Sequence, residues 1–216
     1  MKNTSLKLIL FIIFAAALFL RVLAVFNQPE SKRMPLSDAK QYDNIAVNVI
    51  SGRGFSENIN GPSVPTTIRT PAYPLFLAGI YTVFGHNYLA VKIIQAIFGA
   101  LFCIIIFLIA QAIYNDKLIS ILSSLITALY KPFISGFYFY GGPAWLLSEY
   151  FYMFVVGLTA LQTIFYIKKE NIRRGALLGI LIGIGILTRP EFLIYPVILG
   201  PCLFYKSGFS ASEIIK

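Results

Sequence analysis

The sequence predicts an all-α polytopic membrane protein, with about six transmembrane helices and external juxtamembrane helices in the first external loop. Three observations carry this. The 216 residues are 57% hydrophobic and only 12% charged, whereas soluble domains run near roughly 45–50% and about 25%. Several apolar runs reach about 18 residues or more, and the strict alternation of a β-barrel is absent. The net charge of +9 is carried by residues that flank apolar segments. That is the distribution of topology signals rather than of a nucleic-acid surface, so no nucleic-acid partner is expected.

The elements follow in order. Lys2 and Lys7 precede an apolar run over 6–26. That run lacks a small-residue cleavage site before NQPESKR, so it is expected to stay as a transmembrane helix. The basic N-terminus is expected in the cytoplasm, which makes 27–87 an external loop. Within it, Ala39, Tyr42, Ile45, Ala46, Val49 and Ile50 recur at helical spacing. This predicts an amphipathic juxtamembrane helix over 38–51, capped by Ser37 or Asp38 and ended by Gly52 and Gly54. Asp43 falls on its polar side and reads as a solvated or supporting residue.

The stretch 71–84, PAYPLFLAGIYTVF, is apolar but short. As a helix it rises about 21 Å against a hydrocarbon core of roughly 30 Å. It is read as a second juxtamembrane helix. Further spans are expected at 88–114, 117–135, 144–167, 174–189 and 192–206. With 71–84 not crossing, the basic loop KKENIRR at 168–174 falls in the cytoplasm, as the positive-inside rule requires. Residues 207–216 form a cytoplasmic end, read as a truncated terminus.

This threading puts Asp38, Asp43, Arg69, Glu149, Arg189 and Glu191 on or near the external face. Ionisable residues at membrane depth face a protein interior or a wet cavity, so a shared external cavity is expected. A carboxylate there can deprotonate a hydroxyl, and cations can hold a phosphate leaving group. Asp38 is a helix cap or a base. Arg69, Arg189 and Lys92 are the candidate cations, with headgroup snorkelling the competing role for Lys92 and for Arg21. Tyr73 sits on a stiff corner set by Pro71 and Pro74. Phe137 to Tyr140 read as an interfacial belt or as a platform for sugar faces. Cys103 and Cys202 read as small buried hydrophobes without metal-ligand spacing, and the lone His86 as structural or interfacial.

The order DAKQYDNIAVNVISGRGFS, RTPAYPLFL, Phe84-Gly85, KIIQAIFG, LLSEYFY and LTRP resembles the membrane-embedded glycosyltransferases of the C superfamily. The nearest branch is that of the dolichyl-phosphate-mannose protein mannosyltransferases and lipid A aminoarabinose transferases. The resemblance runs over residues 5 to 206 and covers the N-terminal module, 1–206.

It implies inverting transfer of a sugar from a polyprenyl-phosphate-linked donor to a lipid, glycan or protein acceptor, at the external face of a plasma (inner) membrane. It maps the family's D-x-x-x-Y pattern onto Asp38 with Tyr42, making Asp38 the catalytic base. Arg69 and Arg189 become donor-phosphate ligands, with Tyr42, Tyr73 and Glu149 supporting them, while Lys92 as a further phosphate ligand and Asp43 as a supporting residue rest on their positions rather than on the family's pattern. No cofactor is expected. Asp38 and Asp43 are the pair a divalent ion would use, but a monophosphate donor carries less charge than a nucleotide sugar and no metal is predicted. The competing functions are a transporter or flippase, and a non-catalytic subunit of a split glycosyltransferase.

Overall fold

The computed structural model describes residues 3–28, 35, 37–135 and 144–206. Lys2, the aromatics Phe137 to Tyr140 and the terminus 207–216 lie outside the described residues. Among the described residues, three helices are long and apolar enough to cross a membrane. These are α1 (Asn3–Phe26), α4 (Tyr88–Tyr114) and α7 (Glu149–Lys168). Between them come α2 (Asp38–Ile50), α3 (Ala72–Phe84), α5 (Lys117–Leu129) and α6 (Lys131–Ser135). After α7 follow α8 (Ile172–Thr188), a 3-10 turn over Pro190–Leu193 and α9 (Ile194–Lys206).

The expected spans beyond those three are shorter than a full crossing. The run 117–135 divides at Tyr130, whose backbone is extended. Pro132 has no N–H to bond the Ala128 carbonyl, so the ladder stops there. The run 192–206 opens with the 3-10 turn, and the helix expected from 144 starts only at Glu149. At 1.5 Å per residue, α8 is about 25 Å long.

Helix α4 is the central strut and packs against α1, α5 and α7. Helices α4 and α7 run the same way. Gln95 near the start of α4 donates to the Trp145 carbonyl just before α7 (2.7 Å), and Lys168 at the end of α7 donates to Ala112 near the end of α4. Short connections at Asn115-Asp116 and Lys169-Asn171 turn α5 and α8 back. Asp116 and Asn171 cap them by accepting from the Ile119 and Arg174 amides, as such residues do at helix starts.

Helix α3 begins and ends at one end of this bundle. Thr70 just before it donates to the Thr188 carbonyl that ends α8 (2.6 Å). Gly85 (φ 70°) closes α3 three residues before α4 starts, a conformation glycine adopts without strain. Helix α2 lies across α3, and the two share a core of Ala39, Tyr42, Ala46, Tyr73, Leu77, Ala78 and Tyr81 that reaches Val91 and Leu146. Gly52 and Gly54 have positive φ just past α2, ending it as expected. Ser37 makes no capping bond. The buried surface of α2 is wider than its apolar stripe, because Asp43 and Asn48 are also buried.

Neither Arg21 nor Lys92 takes the snorkelling role weighed for it. Arg21 is fully buried in the bundle, with Nη1 on the Ala17 carbonyl (2.9 Å) and 3.5 Å from the Ala128 carbonyl that Pro132 leaves free. Gly99 makes room for it, since a Cβ there would lie 2.6 Å from Arg21 Nε and 2.5 Å from the Tyr150 ring. Lys92 is buried and donates to Gln28 Oε1 (2.7 Å).

Candidate active site

A cavity of about 330 Å³ opens at the bundle end where α2 starts, α7 starts and α8 finishes. Asp38, Tyr42, Arg69, Glu149, Arg189 and Glu191 line it. Each arrives from a different local cause. Asp38 opens α2, where a carboxylate meets the positive end of the helix dipole. Arg69 stands just before Pro71, on the corner that leads into α3. Glu149 occupies the corresponding first position of α7. Arg189 ends α8 because Pro190 cannot continue the helix, and Glu191 follows within the 3-10 turn.

The charges are paired across the cavity walls. Arg69 forms an ion pair with Asp38, and its Nε and Nη2 both donate to Gln41 Oε1 (2.8 and 2.6 Å). Its guanidinium also lies 5.0 Å from the centre of the Tyr42 ring, a cation–π contact. On the other wall, Arg189 Nη2 bonds Glu149 Oε1 (2.7 Å), Nε reaches Ser148 Oγ (3.3 Å), and Tyr152 lies beneath it at 5.6 Å. Tyr42 stands edge-on to Tyr73 at 5.0 Å. Tyr73 is fully buried and donates to Gln95 Oε1 (2.5 Å). Burial first, then the Glu149 charge, push its hydroxyl well above the ordinary tyrosine pKa, so it stays a donor and steadies the floor.

The structure brings together Asp38, Tyr42, Arg69, Glu149 and Arg189 and sets Tyr73 beneath them. It leaves out Lys92, which lies within α4 on Gln28. Asp43 is not on a solvated face. It is buried, and its Oδ1 accepts from the Tyr81 hydroxyl (2.7 Å) and His86 Nε2 (2.8 Å), while Oδ2 accepts from Tyr88 (2.8 Å). A carboxylate only accepts, so the His86 proton sits on Nε2. Asp43 thus ties α2 to the end of α3 and the start of α4. With its oxygens engaged there and Asp38 paired to Arg69, the two aspartates are not arranged to share an ion. No cluster of three or more metal-ligating side chains occurs among the described residues.

Gln41, Ser148, Thr70 and Tyr152 were not singled out in the sequence. They are ordinary polar and aromatic residues, and only the spatial proximity of distant segments gives them a role. The neighbour of Asp38 by helical spacing, Gln41 at i+3, was the one legible signal.

An apolar helical bundle with three helices long enough to cross a membrane, gathering carboxylates and arginines at one end, defines an integral membrane protein with a charged site. A family model described as dolichyl-phosphate-mannose-protein mannosyltransferase matches residues 68–211, and the chain belongs to this family. The matched stretch contains Arg69, Glu149 and Arg189, and Asp38 precedes it. No curated protein matches the chain.

Proposed function

We propose that this protein transfers a sugar, with inversion, from a polyprenyl-phosphate-linked donor to an acceptor hydroxyl. The observation that carries the proposal is the meeting of Asp38, Arg69, Glu149 and Arg189 around one cavity, although they are far apart in the chain. Asp38 accepts the proton of the acceptor hydroxyl. The acceptor oxygen forms its bond to the anomeric carbon as the carbon–oxygen bond to phosphate breaks. The electron pair leaves on the phosphate oxygen, and Arg69 and Arg189 stabilise the departing polyprenyl phosphate. In the structure both arginines already hold carboxylates. Donor phosphate exchanges for those carboxylates and releases Asp38 for its role as base.

In the proposed topology α1, α4 and α7 span the membrane, and α5 with α6, α8, and the 3-10 turn with α9 are the shorter return segments, with the N-terminus cytoplasmic and the cavity on the external face of the plasma membrane. Charge clustered at one end of the bundle supports a transferase over a transporter, whose ionisable and broken-helix features gather near the midplane.

The test is Asp38→Asn in membranes supplied with polyprenyl-phosphate-linked hexose and pentose donors. Transfer is expected to fall at least about 100-fold, the lower range of a general base's contribution, with insertion and melting unchanged. Transfer at the unsubstituted level would remove Asp38 from the mechanism. Carrier movement across proteoliposomes without sugar transfer would replace the enzyme with a flippase.

A further inference from the structure

Helix α2 separates two cavities. Asp38 and Tyr42, one turn apart, face the charged cavity, whereas Lys40 and Asn44, also one turn apart, line a second one. An offset of two residues turns the helix by about 200°, which places the pairs on opposite sides. The second cavity holds about 570 Å³ and is walled on its far side by the loop over 57–66.

This wall is built. The buried Asn48 amide donates to the Ser56 carbonyl (2.7 Å), to Ser56 Oγ (3.1 Å) and to the Asn58 carbonyl (3.1 Å). Arg53 donates to the carbonyls of Ile59 and Gly61. The Thr66 amide bonds the Phe55 carbonyl (3.0 Å), and Ser56 bridges to Pro65. The loop is thus cross-braced from α2 outward and holds its lining residues in place.

The lining has a definite chemistry. It offers the amides of Asn44, Asn58 and Asn60, with one cation, Lys40, and one anion, Glu57. None of these five side chains makes a hydrogen bond or ion pair among the described residues. Amides donate and accept at once, as sugar hydroxyls do. The two formal charges cancel, which selects against a phosphate. Ile59, Val64 and Pro65 supply apolar surface for the C–H faces of a pyranose. A volume within roughly 300–1,000 Å³ suits a small organic ligand.

We propose that this second cavity binds a neutral oligosaccharide, and that it is the acceptor subsite. The acceptor assignment rests on the transferase reading above; the saccharide binding does not. The glycan would lie against α2 with its end reaching past the helix start to Asp38.

The experiment is saturation-transfer NMR on the full chain in nanodiscs, with mannotriose and chitotriose as probes and a serine/threonine-rich peptide as competitor. Saturation of at least one trisaccharide is expected with the unsubstituted chain and with Asp38→Asn. Asn44→Ala/Asn58→Ala should reduce it at least tenfold, and Asn60→Ala, an exposed position that leaves the fold intact, severalfold. In a transfer assay the double variant should raise KM for the glycan acceptor and leave KM for the donor unchanged. No saturation of either probe, signal equal in the variants, or displacement by the peptide would overturn the proposal. Saccharide binding in a protein that transfers no sugar would retain the site and reject only the transferase reading.

Discussion

The two aspartates of α2 separate by substitution. Asp43 holds three donors, the Tyr81 and Tyr88 hydroxyls and His86. Tyr81 is buried, and burial, then the Asp43 charge, raise its pKa far above the ordinary value, so it donates throughout the working pH range. Asp43→Ala leaves that hydroxyl unpaired, at about 1–3 kcal/mol. Tyr88 and His86 are partly exposed and turn to water, which adds roughly another 1 kcal/mol together with the lost packing. A total of about 2–4 kcal/mol corresponds to a melting shift of roughly 5–15 °C for a chain of this size. Asp43→Asn is much milder. Its amide oxygen keeps Tyr81 and His86, and its NH₂ donates to the Tyr88 oxygen in a reversed bond, so the cost stays below about 1.5 kcal/mol. A thiol-reactive dye in a Cys202→Ser background reads the melt, because Cys103 is buried until the bundle opens. Asp38→Asn should show the opposite pattern, with no melting shift and no transfer. If Asp43→Asn abolishes transfer as fully as Asp38→Asn while melting normally, the division of roles is wrong. If Asp43→Ala melts within about 1 °C of the unsubstituted chain, the clamp is wrong.

Further outcomes follow from the packing around the arginines. Gln41→Ala removes the acceptor of two Arg69 bonds and should raise donor KM severalfold with a smaller change in kcat. Gly185→Ala would set a Cβ 2.5 Å from Phe192 Cε1 and 3.2 Å from Cγ, displacing the turn that follows Arg189. A loss of about 1–3 kcal/mol with a fall in transfer is expected in melting and rate assays. Gly179→Ala meets nothing within 4 Å and should be neutral or stabilising by up to about 1 kcal/mol. Thr70→Val breaks the bond to the Thr188 carbonyl and should lower stability by about 1 kcal/mol.

What was legible in the sequence was whatever local spacing and charge position determine. The bounds of α2 and α3 follow from helix periodicity and proline, and the gathering of Asp38, Arg69, Glu149 and Arg189 from the placement of basic loops that threads the chain. Asp43 was not legible. Its partners sit 38 to 45 residues away, and nothing within α2 tells that α3 covers its polar side. Arg21 was misread for a similar reason. Snorkelling requires a free path to the interface, and that path is closed by Cys103, Tyr150 and the end of α5, which fit around the guanidinium because position 99 is glycine. Among the described residues three helices have the length of a full span, and apolar length alone does not register the break at Tyr130 or the 3-10 turn at Pro190 that shorten the segments after α4 and α8.

The ion pairs in the cavity bear on how the proposed reaction is ordered. Arg69 and Asp38 are 21% and 53% exposed, and Arg189 and Glu149 are 36% and 46%. Pairs this exposed contribute only about 0–1 kcal/mol, so they are weak latches that a phosphate can open. Gln41, Tyr42, Ser148 and Tyr152 stay on the arginines when the carboxylates leave, because their contacts use the flanks and faces of the guanidinium. The arginines are thus held in place before donor arrives and need little reordering when it does. An acceptor arriving first would meet Asp38 still bound to Arg69, a carboxylate occupied by another partner. In the proposed reaction the acceptor hydroxyl therefore engages Asp38 only after donor is bound, and acceptor should enter the charged cavity only when a donor phosphate is present, even where its glycan already occupies the second cavity. Acceptor contact with the charged cavity, read by saturation transfer from Tyr42 and Tyr152 in the absence of donor, would remove the coupling between phosphate binding and release of Asp38.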